Sequence, residues 1–173
     1  MPDYRRLYAD GGTYFLTVCL LDRRSDLLVR AIEALRASWR EAVAARPFET
    51  IAAVALPDHL HLMWRLPGDD HDFPARLSML KAGFTRRLSE AEKRAGRKGE
   101  RGIWQSRYWE HLIRDEVDFI RHVDYIHWNP VKHGIAPSPD EWPHSTWRRW
   151  KREFGRPISI SPEKWKPLHL GER

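Results

Sequence analysis

The sequence predicts an α+β domain in which helices pack on an antiparallel sheet. Short runs of β-branched and aromatic residues alternate with longer stretches of helical period. Two of those runs are joined by a turn too short to hold a helix, which makes them an antiparallel hairpin. No internal repeat and no second-domain boundary interrupts the pattern.

Gly11-Gly12 is a break, and residues 13–21 (TYFLTVCLL) read as the first strand. Ser25 or Asp26 can cap a helix running to about residue 45, in which Leu28, Ile32, Leu35, Trp39 and Val43 recur at helical spacing. Pro47 ends it. Residues 48–56 (FETIAAVAL) are almost continuously apolar, as expected of a central strand buried on both faces. Pro57-Asp58 marks a turn, and residues 59–66 return as the second arm of the hairpin. A second helix is expected from residue 73 to about 94, with Leu77, Leu80, Phe84 and Leu88 along one side. Residues 93–102 (KRAGRKGERG) form a basic, glycine-punctuated loop, either a phosphate contact or a solvated linker. Residues 103–114 hold another strand. Asp115 caps a helix expected to end at Asn129-Pro130, because the residue before a proline is pushed out of helical geometry. The order strand, helix, strand, strand, helix, strand, helix is the split βαβ pattern. It gives a single domain over residues 1–173, with a core of about 11–135 and a Trp/Arg-rich extension of about 136–173.

At 173 residues, 42% of them apolar, the chain can bury a core without staples. No run approaches the roughly 18 apolar residues of a membrane span. The N-terminal MPDYRRLYADGG lacks the apolar segment of a secretory signal, and the lone Cys19 fits a reducing cytosol, so a cytoplasmic location is expected. Basic residues exceed acidic ones by six, which favours a polyanionic partner. Nine tryptophans, several beside arginine as in Trp147-Arg148-Arg149-Trp150, suit stacking on single-stranded nucleic acid. Tryptophans docked on the core with charges in water are the plainer alternative.

In a strand, residues two apart share a face. His59 and His61 therefore project together, while Leu60, Leu62, Trp64 and Leu66 project into the core. Two neutral imidazoles side by side are half of a divalent-metal site; two surface histidines on a half-exposed strand are the alternative. Asp58 either orients one imidazole or simply makes the turn. Tyr125 and Asn129, four apart, share one side of the last helix. Beside a metal that neutralises a phosphate, a tyrosine becomes a credible nucleophile, and an asparagine amide oxygen can ligate. His71, His111, His122, His127, His144 and His169 have no companion at ligand spacing.

The segments YRR, GGTYFLTV, LPDHLHLMW, WQSRYWEHLIRD, VDYIHWNPVKHG and EWPHSTW follow one another in a familiar order. Over roughly residues 3–150 they resemble the REP-associated tyrosine transposases, relatives of the insertion-sequence-200-like transposases among the HUH endonucleases. The resemblance implies a ferredoxin-like core and metal binding by His59 and His61, with Asn129 as a third, amide-bearing ligand. It also implies Tyr125 as nucleophile, Mg²⁺ or Mn²⁺ as cofactor, and single-stranded DNA hairpins of repetitive extragenic palindromes as substrate. Attack by Tyr125 would leave a 5′-phosphotyrosine and a free 3′-hydroxyl, keeping the phosphodiester energy for rejoining. Candidate DNA contacts are Tyr4, Arg5, Arg6, Lys81, Arg86, Arg87, Trp104, Arg107 and Lys132. Alternation separates Trp104 and Tyr108 from Trp109, so at least one of these sets belongs to the core. Whether the site forms within a monomer or across a homodimer is open at this level. The competing function is a hairpin-binding protein without turnover. A two-histidine phosphoesterase is excluded, because only His144-Ser145-Thr146 supplies the H-x-S/T pattern that such enzymes need twice.

Overall fold

The computed structural model describes residues 8–94 and 102–155, and its four strands form one antiparallel sheet in the order β2-β3-β1-β4. Strands β1 (Thr13–Cys19) and β3 (His59–Arg65) are central, while β2 (Glu49–Ala55) and β4 (Trp109–Leu112) are the edges. This is the ferredoxin-like arrangement expected of the split βαβ pattern. The hairpin at Pro57-Asp58 forms, with Val54 opposite His61. Across the other side of β3, Thr17 lies opposite His61 and Cys19 opposite His59.

Alternation sorts the strand side chains onto two faces. Tyr14, Leu16, Val18, Leu60, Leu62 and Trp64 share a core with α2 (Ile32–Ala45) and α3 (Phe73–Arg87). Phe15, Ile51, Val54 and Met63 face the other way, against Val123, Tyr125 and Ile126 of α5 (Glu116–Lys132). His59 and His61 therefore point toward α5. Each large apolar side chain fully buried in these layers is worth about 1.5–3 kcal/mol, so α5 is held to the sheet by packing on Phe15 and its neighbours.

Several boundaries depart from expectation. Residues 48–56 do not form a central strand: β2 lies at the sheet edge. That edge is covered, because the Ala55 N–H donates to the His144 carbonyl at 2.8 Å and the Thr146 N–H to the Ala53 carbonyl at 2.9 Å. A covered edge is buried on both faces, and it carries the same apolar run as a central strand. The first helix is split into α1 (Leu27–Arg30) and α2 at Ala31, with the Leu28 N–H drawn to the Pro57 carbonyl. The second stops at Arg87, where Leu88 turns extended and buries its side chain. Ser89 and Glu92 then cap each other's backbone N–H groups and start α4 (Glu90–Arg94). The last strand is shorter than residues 103–114; Trp104 reaches Leu20 only through an isolated bridge. Most of the basic loop at 93–102 lies outside the described residues.

Asp115 caps α5 as expected, accepting from the Asp118 N–H at 2.8 Å. Pro130 does not end the helix. It sits in the last turn, where one missing N–H removes a single ladder bond. The stop is Gly134 at φ +67°, whose N–H meets the Val131 carbonyl while the Ile135 N–H meets that of Pro130. No helix among the described residues is long and apolar enough to cross a membrane.

Candidate active site

His59 and His61 are 3% and 0% exposed, with ring centroids 4.9 Å apart. Both Nδ1 atoms are engaged from behind. Asp58 Oδ1 lies 2.7 Å from His59 Nδ1, and Arg23 Nε holds the other carboxylate oxygen at 3.0 Å. Burial pushes the Asp58 carboxyl up, but the hydrogen bond from His59 and the charge of Arg23 outweigh it and hold the group below the usual carboxylate value. An ionised carboxylate only accepts, so His59 donates from Nδ1 and turns Nε2 away from Asp58. His61 Nδ1 shares a 2.9 Å hydrogen bond with Thr17 Oγ1, the residue that strand register sets opposite it. Asp58 thus both makes the turn and orients an imidazole.

The Tyr125 ring lies 5.0 Å from His61 and 5.8 Å from Phe15. Farther along the chain, His133 lies 5.4 Å from His59. Residues 125, 129 and 133 recur along one side of a helix. Asn129, fully buried, falls between these two contacts along the helix. Both Asn129 amide atoms and His59 Nε2 are buried without a hydrogen-bond partner. Leaving such groups unmade costs about 1–3 kcal/mol each. Two imidazole nitrogens and an amide oxygen form a donor set that a divalent cation would satisfy, so these residues fit the implied metal.

Lys132, a candidate DNA contact, places Nζ 3.4 Å from Tyr125 Oη and 4.9 Å from the ring centroid. Asp124, adjacent in the helix, is pushed up to about 6 by burial, and its Oδ2 has no hydrogen-bond partner.

The other candidate contacts are scattered. Lys81 donates to the Gln105 carbonyl at 2.9 Å, and burial lowers its pKa. Trp104 is buried, its indole N–H on the Lys81 carbonyl at 3.3 Å and its edge against Phe84, which places it in the core. Tyr108 packs on that core and Trp109 on the opposite one, as alternation requires. Arg86 and Arg87 are exposed and both reach Glu41. Lys81, Arg86 and Trp104 nevertheless line one open cavity. Arg107 is exposed. Tyr4, Arg5 and Arg6 lie outside the described residues.

A second cluster was not legible in the sequence. Ligand-type atoms of His111, Asp118 and His122 all lie within 4.8 Å of one another. His111 Nε2 is 2.7 Å from Asp118 Oδ2, Arg114 Nε donates to the same oxygen at 3.1 Å, and His122 Nδ1 donates to the Asp118 carbonyl at 2.7 Å. Burial raises the Asp118 carboxyl, but the hydrogen bonds from His111 and Arg114 prevail and lower it to about 2. The two imidazoles stack with 15° between their planes. Imidazole lone pairs lie in the ring plane, so stacked rings do not converge readily on one ion.

A histidine pair on a central strand is thus faced by a tyrosine that the helix opposite holds against it. No family model matches the chain. It is 44% identical to the REP-associated tyrosine transposase of Escherichia coli over 149 residues, 86% of this chain and 84% of that protein. A similarly named protein of Haemophilus influenzae is 41% identical over 169 residues, 95% of this chain and 93% of the relative. A solved REP-associated tyrosine transposase bound to a REP hairpin matches with a TM-score of 0.85 and 42% identity, covering 100% of this chain and 98% of its own. The chain belongs to the REP-associated tyrosine transposase family.

Proposed function

We propose that the chain is a metal-dependent single-strand DNA endonuclease and strand transferase that acts on hairpins of repetitive extragenic palindromes through Tyr125. The observation that carries this reading is the face of α5, with Tyr125 against His61 and His133 against His59 on either side of Asn129. The hairpin bound to the solved relative and the net charge of +6 support the substrate class.

His59, His61 and Asn129 would hold the ion, Mg²⁺ or Mn²⁺, which when bound would stabilise charge on the nonbridging oxygens of one phosphodiester. Asp58 and Thr17 keep the imidazoles turned with Nε2 toward that site. Tyr125 Oη bonds to phosphorus as the P–O3′ bond breaks; the phenolic proton passes to water and the 3′-oxygen takes one up. A 5′-phosphotyrosine and a free 3′-hydroxyl result, and attack by a different 3′-hydroxyl rejoins strands without a nucleoside triphosphate. Arg107, exposed, is offered to phosphates together with Tyr4, Arg5 and Arg6, whereas Lys81, Arg86 and Arg87 would first have to leave Gln105 and Glu41, and Trp104 stays in the core.

A labelled single-stranded hairpin incubated with Mn²⁺ should yield a protein–DNA adduct that survives a denaturing gel, and Tyr125→Phe should yield none. An adduct on Tyr125→Phe would move the nucleophile elsewhere. The alternative, a hairpin binder without turnover, draws on the closure of Tyr125, His61 and Asn129, each 0% exposed. Tight binding by the native chain with no adduct under either ion would favour it.

A further inference from the structure

The inference that follows rests on the reading of Tyr125 as the bond-making residue. We propose that Lys132 is a catalytic residue whose ammonium stabilises the negative charge on the Tyr125 oxygen as that atom attacks and leaves phosphorus. Its Nζ is 3.4 Å from Oη and also lies over the ring, 4.9 Å from the centroid. Seven residues on, about two helical turns, the stem of Lys132 folds back along α5 to reach the hydroxyl. Tyr125 is fully buried while Lys132 lies at the exposed end of α5, so the ammonium reaches the hydroxyl from the solvent side. The other basic candidates on helices are engaged elsewhere: Lys81 on Gln105, Arg86 and Arg87 on Glu41.

In the forward step the Tyr125 proton passes to water, the O–P bond forms, the P–O3′ bond breaks and the 3′-oxygen takes a proton from water. In the reverse step an incoming 3′-hydroxyl gives its proton to water, bonds to phosphorus and expels the Tyr125 oxygen, which is then reprotonated by water. Lys132 neither gives nor takes a proton in either step, so one side chain serves both directions. A lysine that only bound phosphate would affect affinity instead.

Lys132→Met and Lys132→Arg are compared with the native chain for adduct formation at saturating hairpin, for rejoining from isolated adduct, and for hairpin affinity across a salt series. Lys132 is exposed, so both variants should melt with the native chain. Lys132→Met is expected to slow both chemical steps by about 10²–10³-fold, the loss typical of one charge-stabilising donor. Affinity and its salt dependence should hold, and Lys132→Arg should recover most of the rate. If Lys132→Met keeps the saturated rate but weakens binding, and the salt slope falls by about one, the residue is a phosphate contact and the proposal fails. It fails equally if rate and affinity are both unchanged. Tyr125→Phe separates the two ideas. An adduct on that variant removes Tyr125 from the reaction, whereas no adduct there beside a full rate in Lys132→Met overturns the role of Lys132 alone.

Discussion

Two histidine clusters flank α5 on the same side of the sheet, and they are built in opposite ways. Around Asp118 the polar atoms close on one another: His111 and Arg114 meet its carboxylate, His122 meets its carbonyl, and the two imidazoles stack. At His59 and His61 the outer nitrogens are fixed by Asp58 and Thr17, while His59 Nε2 and the Asn129 amide keep unmet hydrogen-bonding capacity. Proximity alone favours the first cluster, with three ligand-type atoms inside 4.8 Å. The unmet atoms favour the second. A binding site is better recognised by what its buried polar atoms still lack than by how closely titratable groups gather. Phe15 touches both clusters, 4.8 Å from His122 and 5.5 Å from His61, so a packing change at either would reach the other.

The contrast is broken most directly by exchanging losses between the clusters. His59→Ala or His61→Ala should reduce adduct formation to background while leaving hairpin binding largely intact. His59→Ala should also lose the rise in melting temperature that a divalent ion gives the native chain. His111→Ala should keep that ion-dependent rise, and the reverse pattern would assign the metal to the Asp118 cluster. Asp58→Asn should act less drastically, lowering metal affinity by about 10–100-fold in a titration followed by melting temperature, because an amide whose oxygen is drawn to Arg23 presents N–H to His59 and no longer fixes its tautomer. The smallest effect is expected from Asp118→Asn. The folded carboxyl sits at about 2, below the unfolded value of about 3.9. Its contribution is therefore present above pH ~4 and lost as pH falls from about 4 to about 2, amounting to about 2 kcal/mol. Denaturant melts across that window should show a flatter acid limb in the variant, with adduct formation at neutral pH close to native. An unchanged acid limb would mean that the network does not hold the fold.

The histidine pair was legible because strand alternation needs no tertiary information: apolar Leu60, Leu62 and Trp64 fix the phase of His59 and His61. Helical spacing put Tyr125 and Asn129 on one side of the last helix, while the roles of nucleophile and third ligand came only from the family resemblance. His133 reads as a residue just beyond the helix, lining the cleft or making a turn, because Pro130 reads as the helix end; its place on the same helical face did not follow. A proline in the last turn forfeits one bond, and only the Gly134 cap shows where the chain turns. The Asp118 cluster escaped for a different reason: His111 lies on β4 and meets Asp118 and His122 only after the strand turns into α5. Edge or centre could not be told for β2, since periodicity reports burial and not the identity of the covering segment.

That covering segment has a consequence for how the protein is made. Residues 144–146, which supply partners to Ala53 and Ala55, leave the ribosome after all four strands and α5. At about 5–20 residues per second, the nascent sheet waits with an unguarded margin until they arrive. Its run ETIAAVA carries no basic residue or proline to discourage a neighbouring chain from zipping on. A translation product stopped before residue 140 would still contain His59, His61, Tyr125 and Asn129, yet it would be the form most prone to clump.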